Sequence, residues 1–252
     1  MKKINLMLLL VLGMLSGSLI AQGTENVLAS TDAKYTLSND VEPLTIKPAS
    51  HVEALKIKEF GKEYFPFDTE KIYHFNSNLG DTEAAYESFE DGVTLTFDAP
   101  SMEYRQTLVK EADGVFIKRT EMSAFLFFGN DIKYVEPVLR VPFPLKDGDS
   151  WEWHALETEG DDTTKLVIRG EVLGQEKVFT PYGEFDCVKI RQHVRSENGS
   201  NNTVTEWFAP KVGLVKSHAV LEGTGITGFI QSVFGYDEVT FELAAVKNQN
   251  EE

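Results

Sequence analysis

Cysteine is almost absent from this chain, because Cys187 is the only one in 252 residues. One thiol cannot form an internal disulfide, whereas exported proteins normally use cysteines in pairs. A fold stabilised by crosslinks is therefore excluded, and we expect burial of apolar surface to hold the fold together. Cys187 itself lies within a predicted strand, where we expect a buried structural thiol rather than a nucleophile.

Positive charge is also scarce. The chain has 24 lysine and arginine residues against 40 aspartate and glutamate residues, which gives a formal net charge of −16. No run of basic residues offsets this balance locally, so nucleic acid and anionic bilayers would repel the protein. We predict no nucleic-acid partner.

Long apolar runs are missing except near the N-terminus. Basic residues at Met1–Lys3 precede an apolar run at Leu6–Leu15, and small residues then lead to Ala21. This order is typical of a secretory signal peptide, and the run is too short to span a bilayer. We predict cleavage after Ala21, with Gly23 as the alternative, and export to the periplasm or the extracellular space. The mature chain should then have no stable membrane span.

The common catalytic motifs do not occur. HExxH and GxSxG are missing, and the five histidines have no metal-site spacing. Residues 223–228 match the literal dinucleotide pattern GxGxxG, but their flanks predict hairpin strands rather than the strand–helix unit that this fingerprint requires. We predict that the protein is not an enzyme and has no catalytic, metal-binding or cofactor-binding residues.

Alternation of apolar and polar residues is the dominant pattern that the chain does have. Residues 93–98, 165–172 and 238–245 show this alternation, which predicts strands with one buried face and one wetter face. Turn signals recur at a spacing that suits antiparallel hairpins. We predict a mainly β domain at 64–246, preceded by the signal peptide at 1–21 and a flexible leader at 22–63.

Smaller features complete this division of the chain. Within the leader, His51–Phe60 fits either a short helix or a strand. Residues 247–252 form a polar tail. Two similar proline-aromatic motifs suggest that the β domain consists of two related halves, 64–140 and 141–246.

The most detailed prediction is a three-stranded meander. The turn Pro181–Gly183 opens a strand at Phe185–Arg195, and a polar tip at 198–202 reverses the chain. A second strand follows at Thr203–Phe208 and a third at Gly213–Val220.

Six residues carry the structural motif of this region and of the strand before it. The large aromatic at 207 can fill one face of the sheet, the proline at 210 ends its strand, and the glycine at 213 permits a sharp restart. The complete set is Trp151, Tyr182, Gly183, Trp207, Pro210 and Gly213.

Three motifs together resemble a known family. They are Phe143-Pro144-Leu145-x-x-Gly148-x-x-Trp151, the segment Thr180–Asp186, and the segment Thr205–Lys216. They resemble a family of exported bacterial proteins whose domains look like the lipoprotein carriers LolA and LolB. The resemblance implies an antiparallel, incompletely closed β-barrel, or clamshell, whose concave face can hold something apolar. It implies no reaction. We add one or two short helices to this fold.

Two apolar runs, at 124–128 and within 223–235, are unusual for connecting segments. They fit strands that are buried on both faces, or segments that line a hydrophobic cleft for a lipid or acyl ligand. The candidate lining residues are Phe125, Phe127, Phe128, Ile226, Phe229, Ile230 and Phe234.

A further aromatic pair, Trp151 and Trp153, lies on one face of its strand, with Glu152 and His154 on the other. Such a pair either anchors a sheet or forms a platform for a sugar.

Two functions follow from these patterns. The first is a non-catalytic exported β domain that binds an apolar or lipid-like ligand, or an envelope component, in its concave face. The second is a structural or protein-interaction module of the cell envelope, with a packed interior and no small ligand. An open apolar trough would favour the first function, and a packed interior with an exposed edge strand would favour the second.

Overall fold

The computed structural model describes residues 59–124, 128–160, 162–197, 199–223, 231 and 235–249. Apart from a 3-10 turn at Lys62–Tyr64 and the single helical residue Gln231, the regular elements of these residues are all β-strands. The strands are β1 (Glu59–Phe60), β2 (Lys71–Ser77), β3 (Thr82–Phe89), β4 (Gly92–Ala99), β5 (Met102–Lys110), β6 (Gly114–Ala124), β7 (Phe128–Pro142), β8 (Leu145–Lys146), β9 (Ser150–Glu159), β10 (Asp162–Thr180), β11 (Gly183–Ser196), β12 (Asn201–Ala209), β13 (Gly213–Val220) and β14 (Glu238–Asn248).

Twelve of these strands form one closed antiparallel barrel. Its order is β10-β11-β12-β13-β14-β2-β3-β4-β5-β6-β7-β9, and β9 pairs with β10 to complete the ring. The short strands β1 and β8 pair separately. Mainly β structure is confirmed, but the predicted open clamshell is wrong. Two pairings between strands that are not consecutive, β14 with β2 and β7 with β9, close the wall.

In the part of the chain that the structure describes, the one or two predicted short helices are not found as regular elements, and the helical residues there are the 3-10 turn and Gln231. Residues 51–58 of the helix-or-strand segment lie outside the described residues, and its last two residues form β1. Strand β1 is held by pairing with β8 rather than by a helical cap. Its partner lies far away in the sequence, so local signals could not decide between helix and strand.

The predicted meander is confirmed. Strands β11, β12 and β13 pair in order, and each begins within two residues of its predicted start. The turn before β13 needs left-handed backbone, with φ of 65° at Lys211 and 90° at Gly213. Gly213 supplies this conformation without steric cost, which explains the abrupt start of the third strand.

The hairpin of β10 and β11 extends beyond its neighbours. Strand β10 pairs with β9 only as far as Glu171, and β11 pairs with β12 only from Val188 onward. Residues 176–180 and 183–187 therefore pair only with each other in the ladder, and we call them the projecting hairpin. A bulge at Val172–Gly174, with φ of 107° at Gly174, separates this hairpin from the barrel wall.

Two clusters of buried apolar side chains form the core. The larger one includes Phe60, Phe75, Leu108, Val138, Ile190, Val215 and Leu243. The smaller one contains Leu79, Ala99, Met122, Leu221 and Val239. Strict alternation explains the inward face of β10, where Leu166, Ile168 and Val172 are all at most 4% exposed.

Among the described residues, no helix has the length and apolar character needed to cross a membrane.

Candidate functional site

Polar side chains form a connected group between the two apolar clusters. We call this group the polar file, and it comprises Tyr86, Tyr104, Gln106, Thr120, Tyr134, Arg140 and Glu206. Tyr134 packs against the larger cluster and Tyr104 against the smaller one. The file therefore lies where the two clusters meet.

An ion pair is the centre of the polar file. Arg140 Nη2 on β7 donates to Glu206 Oε1 on β12 at 2.6 Å, and the two side chains are only 12% and 9% exposed. Glu206 shares its face of β12 with Phe208, whose ring lies 5.9 Å from the guanidinium carbon of Arg140. Gln192 donates to the backbone carbonyl of Arg140 at 3.1 Å.

Burial and charge act in opposite directions on Arg140. Burial lowers the pKa of the guanidinium, but Glu206 and the nearby Tyr86 and Tyr104 raise it, and the net direction is upward. Arg140 is therefore a permanent cation inside the barrel. A buried charge needs a partner, and Glu206 provides one.

The three tyrosines of the polar file remain protonated at neutral pH. Burial raises the pKa of Tyr86 to about 12, and it also raises the pKa values of Tyr104 and Tyr134. Gln106 Nε2 donates to the hydroxyl of Tyr104 at 2.7 Å, and the hydroxyls of Thr120 and Tyr134 lie 3.1 Å apart. These phenols are hydrogen-bonding groups rather than bases.

Glu157 on β9 is a second buried acid, and it adds to the buried polar groups of the barrel. Thr164 donates to its Oε1 atom at 3.0 Å, and Ser196 donates to the same oxygen. Glu157 is 7% exposed, and its charge contributes to the raised pKa of Tyr134. These donors satisfy a carboxylate that apolar surroundings would otherwise destabilise.

A small cavity lies beside the ion pair. Its volume is about 10 Å³, roughly the room that one water molecule occupies. Arg140 and Tyr86 provide its polar wall. Its remaining lining residues are Tyr64, Phe65, Phe67, Leu95, Phe208, Gly213 and Leu214.

Residues 60–67 close this cavity from one side, and we call them the plug. Phe65 is 3% exposed and packs against Phe208, with 4.6 Å between the ring centroids. Phe67 stacks on Tyr86 at 5.2 Å. Lys110 Nζ donates to the backbone carbonyl of Phe65 at 2.9 Å, and the backbone amide of Lys211 donates to the backbone carbonyl of Glu63 at 2.6 Å. The chain thus fills its own barrel mouth with aromatic side chains.

Most of the predicted apolar lining cannot be placed in the barrel. Phe125, Phe127, Ile226, Phe229, Ile230 and Phe234 lie outside the described residues, as do residues 224–228 of the GxGxxG match. Phe128 is the first residue of β7. The apolar ligand site stays a prediction.

The paired tryptophans of β9 face the core. Trp151 and Trp153 pack against the larger cluster, and Trp153 also contacts Phe116 edge-on at 6.2 Å. Trp151 covers Gly170, where a Cβ atom would lie 2.1 Å from the indole. This packing is that of a sheet anchor rather than of an exposed platform.

The polar residues between these tryptophans lie on the outer face. His154 Nε2 is 2.7 Å from Glu152 Oε1, and Arg169 donates to the other oxygen of Glu152. Both ion-pair partners lower the pKa of Glu152, with the hydrogen bond from Arg169 as the larger cause.

Trp207 belongs to the larger cluster of buried apolar residues, and it also has polar neighbours. It is 8% exposed, and its indole N–H donates to Glu176 of the projecting hairpin. The ammonium groups of Lys189 and Lys216 lie 4.9 and 5.7 Å from its ring centroid.

The other motif residues lie at turns: Tyr182 and Gly183 at the tip of the projecting hairpin, and Pro210 and Gly213 between β12 and β13.

Another pocket, of about 250 Å³, opens on strands β5 to β7. Its charged groups pair with one another or with Arg119. Arg105 lies 3.0 Å from Glu103, and Arg119 lies 2.7 Å from Asp131. The hydrogen bond from Arg119 lowers the pKa of Asp131. In the part of the chain that is described, no group of histidine, cysteine and acidic side chains has a metal-binding arrangement.

The sequence prediction missed the polar file. The available signal was a single charge within an apolar strand, as in Val138-Leu139-Arg140-Val141. Glu206 next to Trp207 and Phe208 gave a second such signal.

The lone Cys187 is fully buried, and burial raises the pKa of its thiol to about 12, which makes it unreactive.

Comparison with known proteins gives one partial family match. A family described as DUF3108-like matches residues 155–221, from β9 to just beyond β13. This is less than half of the chain. No curated protein matches it.

Three solved structures are similar at low identity. A candidate lipoprotein from Parabacteroides distasonis is 14% identical, covers 73% of this chain and 98% of its own, and has a TM-score of 0.36. A candidate exported protein with a YmcC-like fold from Bacteroides fragilis is 13% identical, with the same coverage and a TM-score of 0.37. The hypothetical lipoprotein YmcC from Escherichia coli is 14% identical, covers 71% and 86%, and has a TM-score of 0.38. The likeness to LolA and LolB is not confirmed.

Proposed function

We propose that the chain is an exported, non-catalytic barrel domain that acts in the cell envelope by binding another protein through its outer surface. The N-terminal pattern of residues 1–21 supports export. The observation that carries the rest is the packed state of the described interior. Arg140 binds Glu206 inside the barrel, and the cavity beside this pair has a volume of only about 10 Å³.

This volume weighs against a ligand carrier. Small-molecule sites usually enclose about 300–1,000 Å³ and are largely formed before the ligand binds. An acyl chain in this barrel would have to displace Phe65 and Phe67, and it would then lie against the Arg140–Glu206 pair. Burying apolar atoms against charged groups gives little stabilisation, so a packed module is the better-supported function.

The projecting hairpin is the surface that we expect to bind the partner. Among the described residues, no strand pairs with the outer backbone edges of residues 176–180 and 183–187, although the amide of Tyr182 between them donates to the carbonyl of Leu243 at 3.1 Å. Such unpaired edges accept an added strand. Phe179 is 70% exposed and Tyr182 is 47% exposed. An exposed aromatic group next to a free edge provides both backbone pairing and an anchor.

Photo-crosslinking tests this function. A crosslinking amino acid is placed at position 179 in the chain expressed in its own host, and in a control at position 89. Phe89 is 46% exposed at the tip of a different hairpin, which makes it a matched control. We expect one protein adduct from position 179 and none from position 89. Equal labelling at both positions would contradict binding through the projecting hairpin.

Native mass spectrometry of the purified mature chain distinguishes the two functions. We expect an N-terminus at Gln22 and no bound small molecule. A co-purifying lipid that fatty acid displaces would show that the protein is a carrier. A mature chain that retains residues 1–21 inside the cell would refute export.

A further inference from the structure

We propose that the barrel holds one water molecule as a structural component, bound by Tyr86, Arg140 and Glu206. Each of these side chains retains unused hydrogen-bonding capacity. The hydroxyl of Tyr86 has no hydrogen-bond partner among the described residues. Arg140 has five guanidinium donors, of which Nη2 binds Glu206. Glu206 accepts this bond at Oε1, so its second oxygen is available.

These groups meet at the cavity beside the ion pair. Arg140 and Tyr86 both line it, and the charges of Arg140 and Glu206 both act on the phenol of Tyr86. A buried water typically makes about three hydrogen bonds to polar groups that lack other partners, and it needs about 10–15 Å³. The cavity has a volume of about 10 Å³, Tyr86 and Arg140 line it, and Glu206 binds Arg140, which matches this requirement.

The chemistry of the site selects a neutral guest that both donates and accepts. An anion would be repelled by Glu206, and a cation would be repelled by Arg140. An apolar guest would leave the donors of Arg140 unsatisfied, which is unfavourable in a buried site. Water is the neutral guest that fits the volume.

The plug makes this water slow to exchange. The rings of Phe65 and Phe67 both line the cavity, and Phe67 stacks directly on Tyr86. The plug covers the water on this side, so its residence time should report the motion of residues 60–67.

Crystallography of the mature protein gives the first test. We expect a density peak within about 3.2 Å of the Tyr86 hydroxyl, an Arg140 nitrogen and a Glu206 oxygen. A well-ordered structure in which Tyr86 bonds Glu206 directly, with no peak between them, would overturn the proposal.

Water-proton relaxation dispersion gives a second test that needs no crystal. We expect Tyr86→Phe to lose the contribution of one long-lived water, and Tyr182→Phe, whose hydroxyl lies on an exposed turn, to lose none. Phe67→Ala should keep the water but shorten its residence time at least tenfold. An unchanged dispersion amplitude in Tyr86→Phe would count against the site.

Discussion

Replacing Glu206 with glutamine would leave the Arg140 guanidinium inside the barrel without its counter-charge. The two side chains are 12% and 9% exposed, so solvent can compensate for little of the loss. Removing one partner of a buried ion pair typically costs about 3–5 kcal/mol. The free energy of unfolding of a typical domain is about 5–15 kcal/mol, so the variant should be only marginally stable.

The reverse substitution, Arg140→Met, should also destabilise the fold, because it leaves the Glu206 carboxylate inside the barrel without its partner. The double variant Arg140→Met/Glu206→Leu should be less destabilised than either single variant, because apolar residues of similar volume can replace a buried pair.

Urea unfolding followed by tryptophan fluorescence measures these effects. The matched control is Lys118→Met, which removes an ion pair of similar length, 2.8 Å to Asp91, on the exposed surface. Its unfolding midpoint should stay close to that of the parent. If Glu206→Gln shifts the midpoint no more than this control, the ion pair is not buried in solution. If the double variant loses as much free energy of unfolding as the two single variants together, the two side chains do not interact energetically.

Three other predictions follow from the packing. Gly170→Ala should cost about 1–3 kcal/mol in urea unfolding, because its Cβ would lie 2.1 Å from the Trp151 ring, whereas Gly129→Ala, with its nearest atom at 3.4 Å, should be tolerated. If Gly170→Ala and Gly129→Ala lost the same free energy of unfolding, the Trp151 ring would have moved aside to accept the new Cβ atom. Because burial raises the pKa of Tyr86 from 10 in the unfolded chain to about 12, its contribution to stability should be complete below pH 10 and be lost by pH 12. Tyr86→Phe should flatten this part of the stability–pH curve, and an unchanged slope would contradict the burial. Trp207→Ala should cost about 3–5 kcal/mol, and a loss below about 1 kcal/mol would mean that the indole is not packed.

The sequence predicted the strands well because their information is local. The faces of β10 follow from the alternation of Leu166 and Ile168 with charged neighbours, and the meander follows from turn residues such as Gly213. Closure of the barrel depends instead on β14 meeting β2 and on three residue pairs between β7 and β9. Antiparallel alternation is the same in an open sheet and in a closed one, so it could not reveal that these edges meet.

The polar file shows a second limit of alternation. A period of two separates the residues of a strand into two faces, but it does not say which face is inside. In β12 the adjacent residues Trp207 and Phe208 point to opposite faces, yet both belong to the larger apolar cluster, and Glu206 and Phe208 are the residues that reach Arg140.

Trp207 is buried on the opposite face, because the projecting hairpin supplies Glu176 above it and two lysines flank its ring. A bulky aromatic residue therefore marks a face that becomes covered, and the cover can come from a neighbouring hairpin as well as from the core. What identifies the inner face is the pairing of opposite charges from two apolar strands. Neither Arg140 nor Glu206 could remain buried alone, so each one implies the other.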